Sequence, residues 1–559
     1  MPFDGADFYQ LSGVTVIILI VAFYGGTFLL SVKIGRKKEN VDGYMTAGNR
    51  VGFGISAASM TATWIWASSF YAAATSGYTY GLSGPIHYGL WGALMILFIY
   101  PFGRRIRAVA PKAHTLAEVI HARHGRSSQL ILAGSNVLGS VISLMTNFTA
   151  AGALISILSP FSFVQGVIFT GLGVLSYTLW SGFRASVLTD FVQLIAMMGA
   201  AAIIIPLVFF SAGGPGIFAD GFSMITDQQA DFFSVDAILN QGAPFFIAVL
   251  AYAIGNQTIA QRLFAVREDL IKKTFLTATL GYGVTVIGLG IIGMLALMVG
   301  MQPVDGDLNN IIPQMASTYL APVVIGIFFI MVLGSLSSTA DSDLSALSSI
   351  MMTDVYGKNI AKKGAVKPKT MLLVGRLTMI VATMLGLAFA SLQMDILTLL
   401  VFVGALWGAL VFPVIMSFYW DRITNAAFSV SVVVALVTFA LLRFEIIPMV
   451  GVTGYLFESL ATIGIGVVIG LMGFGFFGKR AGMVLGVLAI IVALPFVLGF
   501  LRDYVVLTSA LVAYGMSAVV CTLMTLRNTE RFDFSSISRQ ATEFEPAEPV
   551  AARSDAFRS

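Results

Sequence analysis

The chain has 559 residues, 57% of them hydrophobic and only 11% charged, with a net charge of +4. Soluble domains carry about 25% charged residues, so this composition excludes a water-soluble globular protein and points to a bilayer as solvent. The single cysteine, Cys521, excludes an intrachain disulfide and a cysteine-based metal site, and no basic cluster with interleaved aromatics suggests nucleic acid.

A spanning helix needs roughly 20 apolar residues. Fifteen such runs are read in chain order, near 12–32, 51–76, 85–103, 130–158, 163–180, 186–210, 243–262, 273–299, 319–352, 371–392, 395–420, 426–442, 453–477, 482–501 and 504–526. Closed barrels show weak alternation instead of long apolar runs, so the expected fold is an all-α polytopic bundle. Asp4 and Asp7 precede the first run, where a cleavable signal would carry Lys or Arg.

Basic residues follow the odd-numbered runs: Lys33, Arg36, Lys37 and Lys38 after the first, Arg104, Arg105, Arg107 and Lys112 after the third. Arg262, Arg267, Lys272 and Lys273 follow the seventh, Lys358, Lys362, Lys363, Lys367 and Lys369 the ninth, and Arg527 the last. The exits of runs 6 and 8 carry aspartates, among them Asp220, Asp227, Asp231, Asp236, Asp305 and Asp307. By the positive-inside rule the N-terminus is expected outside and the C-terminus in the cytoplasm of a plasma (inner) membrane protein. The expected organisation is a leading segment 1–50, a unit 51–212, an outside loop 213–242, a unit 243–420, further helices over 421–527 and a disordered cytoplasmic tail 528–559.

Polar residues inside spans are expensive and are functional candidates. Span 2 holds Thr63-Trp64-Ile65-Trp66-Ala67-Ser68-Ser69 at mid-depth and is the span expected to be interrupted, which would expose carbonyls to an ion. Trp64 and Trp66 are two apart, so both reach one cavity only if the helix unwinds between them. Span 6 begins near Asp190. Span 7 holds Tyr252, Asn256 and Gln257, whose amides suit a neutral polar solute, and ends in Arg262, read as snorkelling or loop-pairing.

Span 9 holds Ser335, Ser337, Ser338, Thr339, Asp341, Ser342 and Asp343. Hydroxyls alone would read as a small-residue packing seam. Two mid-span aspartates, each costing about 3 kcal/mol on insertion scales, favour a site. Hard oxygens suit a small hard cation, and Ser338 and Thr339 are placed so that one ion touches both hydroxyls. His114, His121 and His124 fall in a polar stretch after span 3, and His87 is read as a packing or gate residue.

These residues resemble a family. Trp180-Ser181-Gly182-Phe183-Arg184-Ala185 followed by Thr189-Asp190-Phe191-Val192-Gln193 is similar to a signature of sodium/solute symporters. So are Gln261-Arg262 with Ala265 and Arg267, and Ser338-Thr339-Ala340-Asp341-Ser342 with Ser348-Ser349 and Asp354-Val355-Tyr356. Trp64-Ile65-Trp66-Ala67, Tyr78 to Tyr88 and Ala110-Pro111-Lys112-Ala113-His114-Thr115 resemble the urea-active-transporter branch, from which Ser68-Ser69-Phe70-Tyr71 and His87 depart.

The resemblance implies a LeuT-type fold of two inverted five-helix repeats, spans 2–6 and 7–11, with one leading and several trailing helices. It implies a sodium site at the carbonyls of Ala62, Ile65 and Ser335 and the hydroxyls of Ser338 and Thr339. Asp190 would mark the sodium exit route, Asp341 and Ser342 a second cation position, and Tyr252 an inner gate. The substrate pocket is expected at Trp64, Trp66, Ser69, Tyr252, Asn256, Gln257 and Asp343. The expected function is sodium-coupled import of a small polar solute, urea or a related amide or amine. An acetate-like or amino-acid substrate, or proton coupling, stays open. No cofactor, catalytic residue, other metal or obligate protein partner is expected.

Overall fold

The computed structural model describes residues 9–34, 41–49, 51–361, 366–541 and 544. The basic residues Arg36, Lys37, Lys38, Lys362 and Lys363 lie outside these. We number the principal helices α1 (Gly13–Ile34), α2 (Phe53–Trp64), α3 (Ala67–Tyr80), α4 (Ser83–Val109), α5 (Leu116–His124), α6 (Arg126–Leu158), α7 (Phe163–Trp180) and α8 (Gly182–Ser211). Then come α9 (Val235–Gly255), α10 (Gln257–Ala265), α11 (Ile271–Met298), α12 (Pro322–Ile350), α13 (Pro368–Ala390) and α14 (Ile396–Met416). The trailing helices are α15 (Asn425–Arg443), α16 (Gly451–Phe477), α17 (Lys479–Val497), α18 (Val505–Leu526) and the short α19 (Ser535–Gln540).

Among the described residues 14 continuous helices are long and apolar enough to cross a membrane. The remaining crossing is α2 with α3, each half too short alone. The fifteen expected spans are thus met by fourteen helices and one interrupted pair. Helices α2 and α9 each end in a break that a second helix, α3 or α10, continues, and discontinuous helices of this kind are typical of inverted-repeat transporters.

The first break is held by tertiary donors. Ile65 and Trp66 leave helical geometry (ψ 82° and 151°), and the Trp66 N–H turns back to the Trp64 carbonyl at 3.1 Å, so that the Ala62 carbonyl loses its usual i+4 donor. Ser335 Oγ of α12 donates to the Ile65 carbonyl at 2.7 Å, and Trp64 Nε1 to the Gly92 carbonyl at 3.0 Å. Irregular backbone at membrane depth survives only where protein groups satisfy it in this way.

The second break, at Asn256, was not read from the sequence. One side chain bridges it: Asn136 Nδ2 of α6 donates to the Gly255 carbonyl at 2.8 Å, and Asn136 Oδ1 accepts from the Gln257 N–H at 2.6 Å. Asn256 itself caps α10, its Oδ1 accepting from the Thr258 N–H at 2.6 Å.

The chain kinks from α7 into α8 at Gly182, with φ 58°, and a Cβ there would lie 2.5 Å from the Tyr44 ring. Only glycine meets both demands, which explains the glycine at the head of the signature in span 6. Helix α9 begins at Val235, inside the segment expected to be a loop, and short helices at Gly216–Gly221 and Asp227–Ala230 precede it.

The tail departs from expectation where it is described. Residues 528–541 and 544 are packed on the side of the bundle that carries the basic loops. Ile537 is buried, the Arg123 guanidinium sits 4.2 Å from the centre of the Phe532 ring, and the Phe544 N–H donates to Asp42 Oδ1 at 2.8 Å. Aromatics spaced through a polar stretch supplied the apolar area that composition alone concealed. The rest of the tail lies outside the described residues.

Candidate transport site

The two broken helices meet at a small cavity. Its wall is Trp64, Trp66, Ser69, Tyr88, Phe245, Ala248, Val249, Tyr252, Tyr282 and Leu400, and its volume is about 40 Å³. One water needs roughly 10–15 Å³ of such space, so the cavity takes a solute of about three or four heavy atoms. The Tyr252 ring stands edge-on to both indoles, 5.9 Å from Trp64 and 4.8 Å from Trp66, with Trp407 behind it at 4.5 Å. Both tryptophans reach the cavity because the helix is unwound between them. The polar groups of the wall, Ser69, Tyr88 and Tyr282, lie beside one another, and no charged side chain lines it.

Tyr88 and Tyr282 were not singled out from sequence. Tyr282 sits in an unremarkable apolar run, and only the packing of α11 against α3 brings it to the cavity. Of the expected pocket residues, Trp64, Trp66, Ser69 and Tyr252 share the cavity. Asn256, Gln257 and Asp343 do not line it. Gln257 instead ties α10 to the start of α5 and the residues just before it: its Oε1 accepts from the Leu116 N–H and its Nε2 donates to the His114 carbonyl, both at 2.9 Å.

Beside the first break lies the expected ion position. The Thr339 hydroxyl donates to the Ser335 carbonyl at 3.3 Å, and the Ser338 hydroxyl to Asp190 Oδ1 at 2.6 Å. A donating hydroxyl keeps lone pairs for an ion. These two oxygens and the Ala62, Ile65 and Ser335 carbonyls are each hard, neutral donors of the kind a small monovalent cation prefers.

Arg262 departs from its reading as a snorkelling or loop-pairing residue. It is buried and forms an ion pair with Asp190, Nη2 to Oδ2 at 2.9 Å, and also donates to Ser342 Oγ at 2.6 Å. Asp190 Oδ2 further accepts from Ser59 Oγ at 2.6 Å. The α9–α10 break explains the position: it carries Arg262 beside α2 and α8 instead of leaving it at a membrane surface. Asp341 accepts from Tyr177 at 2.8 Å and Ser186 at 2.6 Å, and Thr63 and Ser342 hydroxyls meet at 3.2 Å. Neither Asp341 nor Asp343 has an ion-pair partner among the described residues.

The model of the sodium:solute symporter family matches residues 44–433, well over half of the chain. The chain belongs to the sodium:solute symporter family. Its curated relatives include a probable urea active transporter of Schizosaccharomyces pombe, 23% identical over 441 residues that cover 73% of this chain and 65% of the relative. A urea-proton symporter of Oryza sativa subsp. japonica is 21% identical, covering 74% and 62% of the two chains. The Escherichia coli sodium/pantothenate symporter is 24% identical, covering 73% and 86%. The chain thus spans less than two thirds of the length of these two urea transporters. Its fold is similar to that of a solved Na+-coupled sialic acid symporter in a substrate-bound outward-open state, with a TM-score of 0.62, 19% identity, and 87% and 98% of the chains covered. The relatives' names carry urea, pantothenate and proline alike, so kinship alone selects no solute for this chain.

Proposed function

We propose that this symporter couples sodium entry to import of a small neutral polar solute, urea or a compact amide of that size. The observation that carries the reading is the cavity at the meeting of the two broken helices: aromatic, a few heavy atoms in volume, edged by hydroxyls and free of charged side chains. Such a wall offers no counter-charge to a carboxylate, and its volume does not admit a solute as long as pantothenate in this conformation. Sodium would bind at the Ala62, Ile65 and Ser335 carbonyls with the Ser338 and Thr339 hydroxyls. Asp190 and Arg262 neutralise each other beside this shell, so the shell holds the ion by dipoles alone and releases it on each cycle. The basic loops would face the cytoplasm and the N-terminus the outside of the plasma membrane.

The test is uptake of labelled urea into proteoliposomes under an inward sodium gradient, against potassium. Thr339→Ala and Ser338→Ala should each raise the sodium concentration for half-maximal uptake, and the double change should nearly abolish coupling. Unchanged sodium dependence in the double variant would refute the site. A second reading, proton coupling, has Asp341 and Asp343 in its favour, since both are buried and neither is ion-paired. Uptake driven by a pH gradient without sodium, and lost in Asp341→Asn or Asp343→Asn, would select it.

A further inference from the structure

The described part of the C-terminal tail is fastened at successive points along the face that carries the basic loops. It starts at the loop between α14 and α15, where Asn528 Nδ2 donates to the Arg422 carbonyl at 2.8 Å and the Phe532 N–H to the Asp421 carbonyl at 2.9 Å. Arg105 of α4 then lies 5.5 Å from the centre of the Phe534 ring, and Ile537 and Ala541 are fully buried. Lys358 Nζ donates to the Gln540 carbonyl at 3.2 Å. The last described contact is Phe544. Its N–H donates to Asp42 Oδ1 at 2.8 Å, and its ring lies 5.3 Å from the His114 ring and 5.9 Å from Lys358 Nζ. A Cβ on Gly357 would touch the same ring at 3.4 Å.

The two ends that meet at Phe544 lead to the transport site. Asp42 sits on the short helix Val41–Thr46, which precedes α2. Gly357 and Lys358 sit on Met351–Ile360, which continues α12 directly. Helices α2 and α12 face each other at the first break, where Ser335 Oγ holds the Ile65 carbonyl. Alternating access rocks one group of helices against another around a fixed site, so a path from that site to the basic-loop side opens only if these two ends part. Beneath Phe544 they are already joined by a chain of ion pairs: Asp42 Oδ1 to His114 Nε2 at 2.6 Å, His114 Nδ1 to Glu118 Oε2 at 3.2 Å, and Glu118 Oε1 to Lys358 Nζ at 3.2 Å. Ion pairs weaken once water reaches them. The Phe544 ring covers His114 and Lys358, and an aromatic face over a cation counts for more where water is kept out.

We propose that residues 528–541 with Phe544 form a strap that holds the ends of α2 and α12 together on the basic-loop side, and that undocking Phe544 lets that side open. The inference rests on the reading of α2 and α12 as two walls of the transport path. Phe532, Phe534 and Ile537 anchor the strap to elements away from the path, while Phe544 alone touches both ends. The tail thereby sets how readily the site is reached from one face of the membrane.

The test reads access to each side from the modification rate of one introduced cysteine, in the full chain with the buried native Cys521 replaced by serine. Ser349→Cys, on α12 between Ser342 and Gly357, reports on the basic-loop side, and Val249→Cys, in the cavity wall, on the opposite side. A charged methanethiosulfonate is confined to one face of sealed proteoliposomes, in potassium, without sodium or solute. Phe544→Tyr keeps the ring and the N–H and should keep the native rates. Phe544→Ala removes the ring and should speed the Ser349→Cys reporter about threefold or more. Phe544→Pro also removes the donor to Asp42 and should speed it at least about tenfold. The Val249→Cys reporter should slow in the same two variants, because the two open states draw on one population. Unchanged rates in Phe544→Pro overturn the strap. A rise at both reporters marks general loosening of the bundle and overturns it as well. Opposite changes at the two reporters without sodium-driven uptake would strike the transport reading and leave the strap standing.

Discussion

Neutralising Asp190 alone should destabilise the bundle far more than neutralising Asp190 and Arg262 together. Their side chains are 0% and 3% exposed, and Nη2 and Oδ2 stand 2.9 Å apart. Unit charges about 4 Å apart attract by about 4 kcal/mol at an effective dielectric of about 20. Asp190→Asn forfeits that attraction and leaves a guanidinium in the core, for which about 3–5 kcal/mol is the usual cost. The guanidinium keeps its bonds to the Ser59 and Thr258 carbonyls and to Ser342, which places the loss at the lower end. Arg262→Gln strands the carboxylate, still holding Ser59 and Ser338, at a similar cost. The double change strands neither charge, and the amides retain hydroxyl partners. A double-mutant cycle by unfolding in mixed micelles should therefore return a coupling of about 2–4 kcal/mol. Additivity within about 0.5 kcal/mol would refute the pair as a stabilising unit. Because Ser338 leans on Asp190, Asp190→Asn should also slow turnover more than it weakens solute binding.

Asn136→Ala should cost about 2–4 kcal/mol by the same unfolding assay, since it strips partners from the buried Gly255 carbonyl and Gln257 N–H at once. Gly182→Ala should cost at least about 2 kcal/mol, and adding Tyr44→Ala should relieve the clash but not the roughly 1–2 kcal/mol of left-handed strain. His114, which lies outside the spans, titrates at about 9: burial pushes its pKa down, but hydrogen bonds and charge from Asp42 and Glu118 outweigh this and hold it above its ordinary 6.5. A raised cation pKa stabilises fully below the unfolded value, so stability should fall as pH rises from about 6.5 to about 9, and His114→Gln should flatten that slope. Phe532→Ala removes the ring under Arg123, and limited proteolysis within 528–541 should then proceed several-fold faster.

What was legible in the sequence is what periodic apolarity and local chemistry write there. Long runs of about 20 apolar residues announce helices, and hydroxyls beside aspartates mark the buried polar stretch of α12. The break in α2 was legible because two tryptophans and several hydroxyls sit where lipid-facing residues belong. The break between α9 and α10 was not, because what makes it tolerable is Asn136, more than a hundred residues earlier on α6. Tyr88 and Tyr282 escaped for a similar reason: a tyrosine among apolar residues is ordinary until a neighbouring helix presents its hydroxyl to a cavity.

Arg262 shows where a local reading misleads. An arginine close to the end of a continuous helix would snorkel, and the inference followed from continuity. Once the helix restarts at Gln257, depth no longer follows from counting residues along the span, and the same arginine lies in the core beside Asp190. The interruption thus does two things at once. It opens backbone and amide groups around Tyr252, and it delivers the cation that pairs with Asp190 beside the proposed sodium shell.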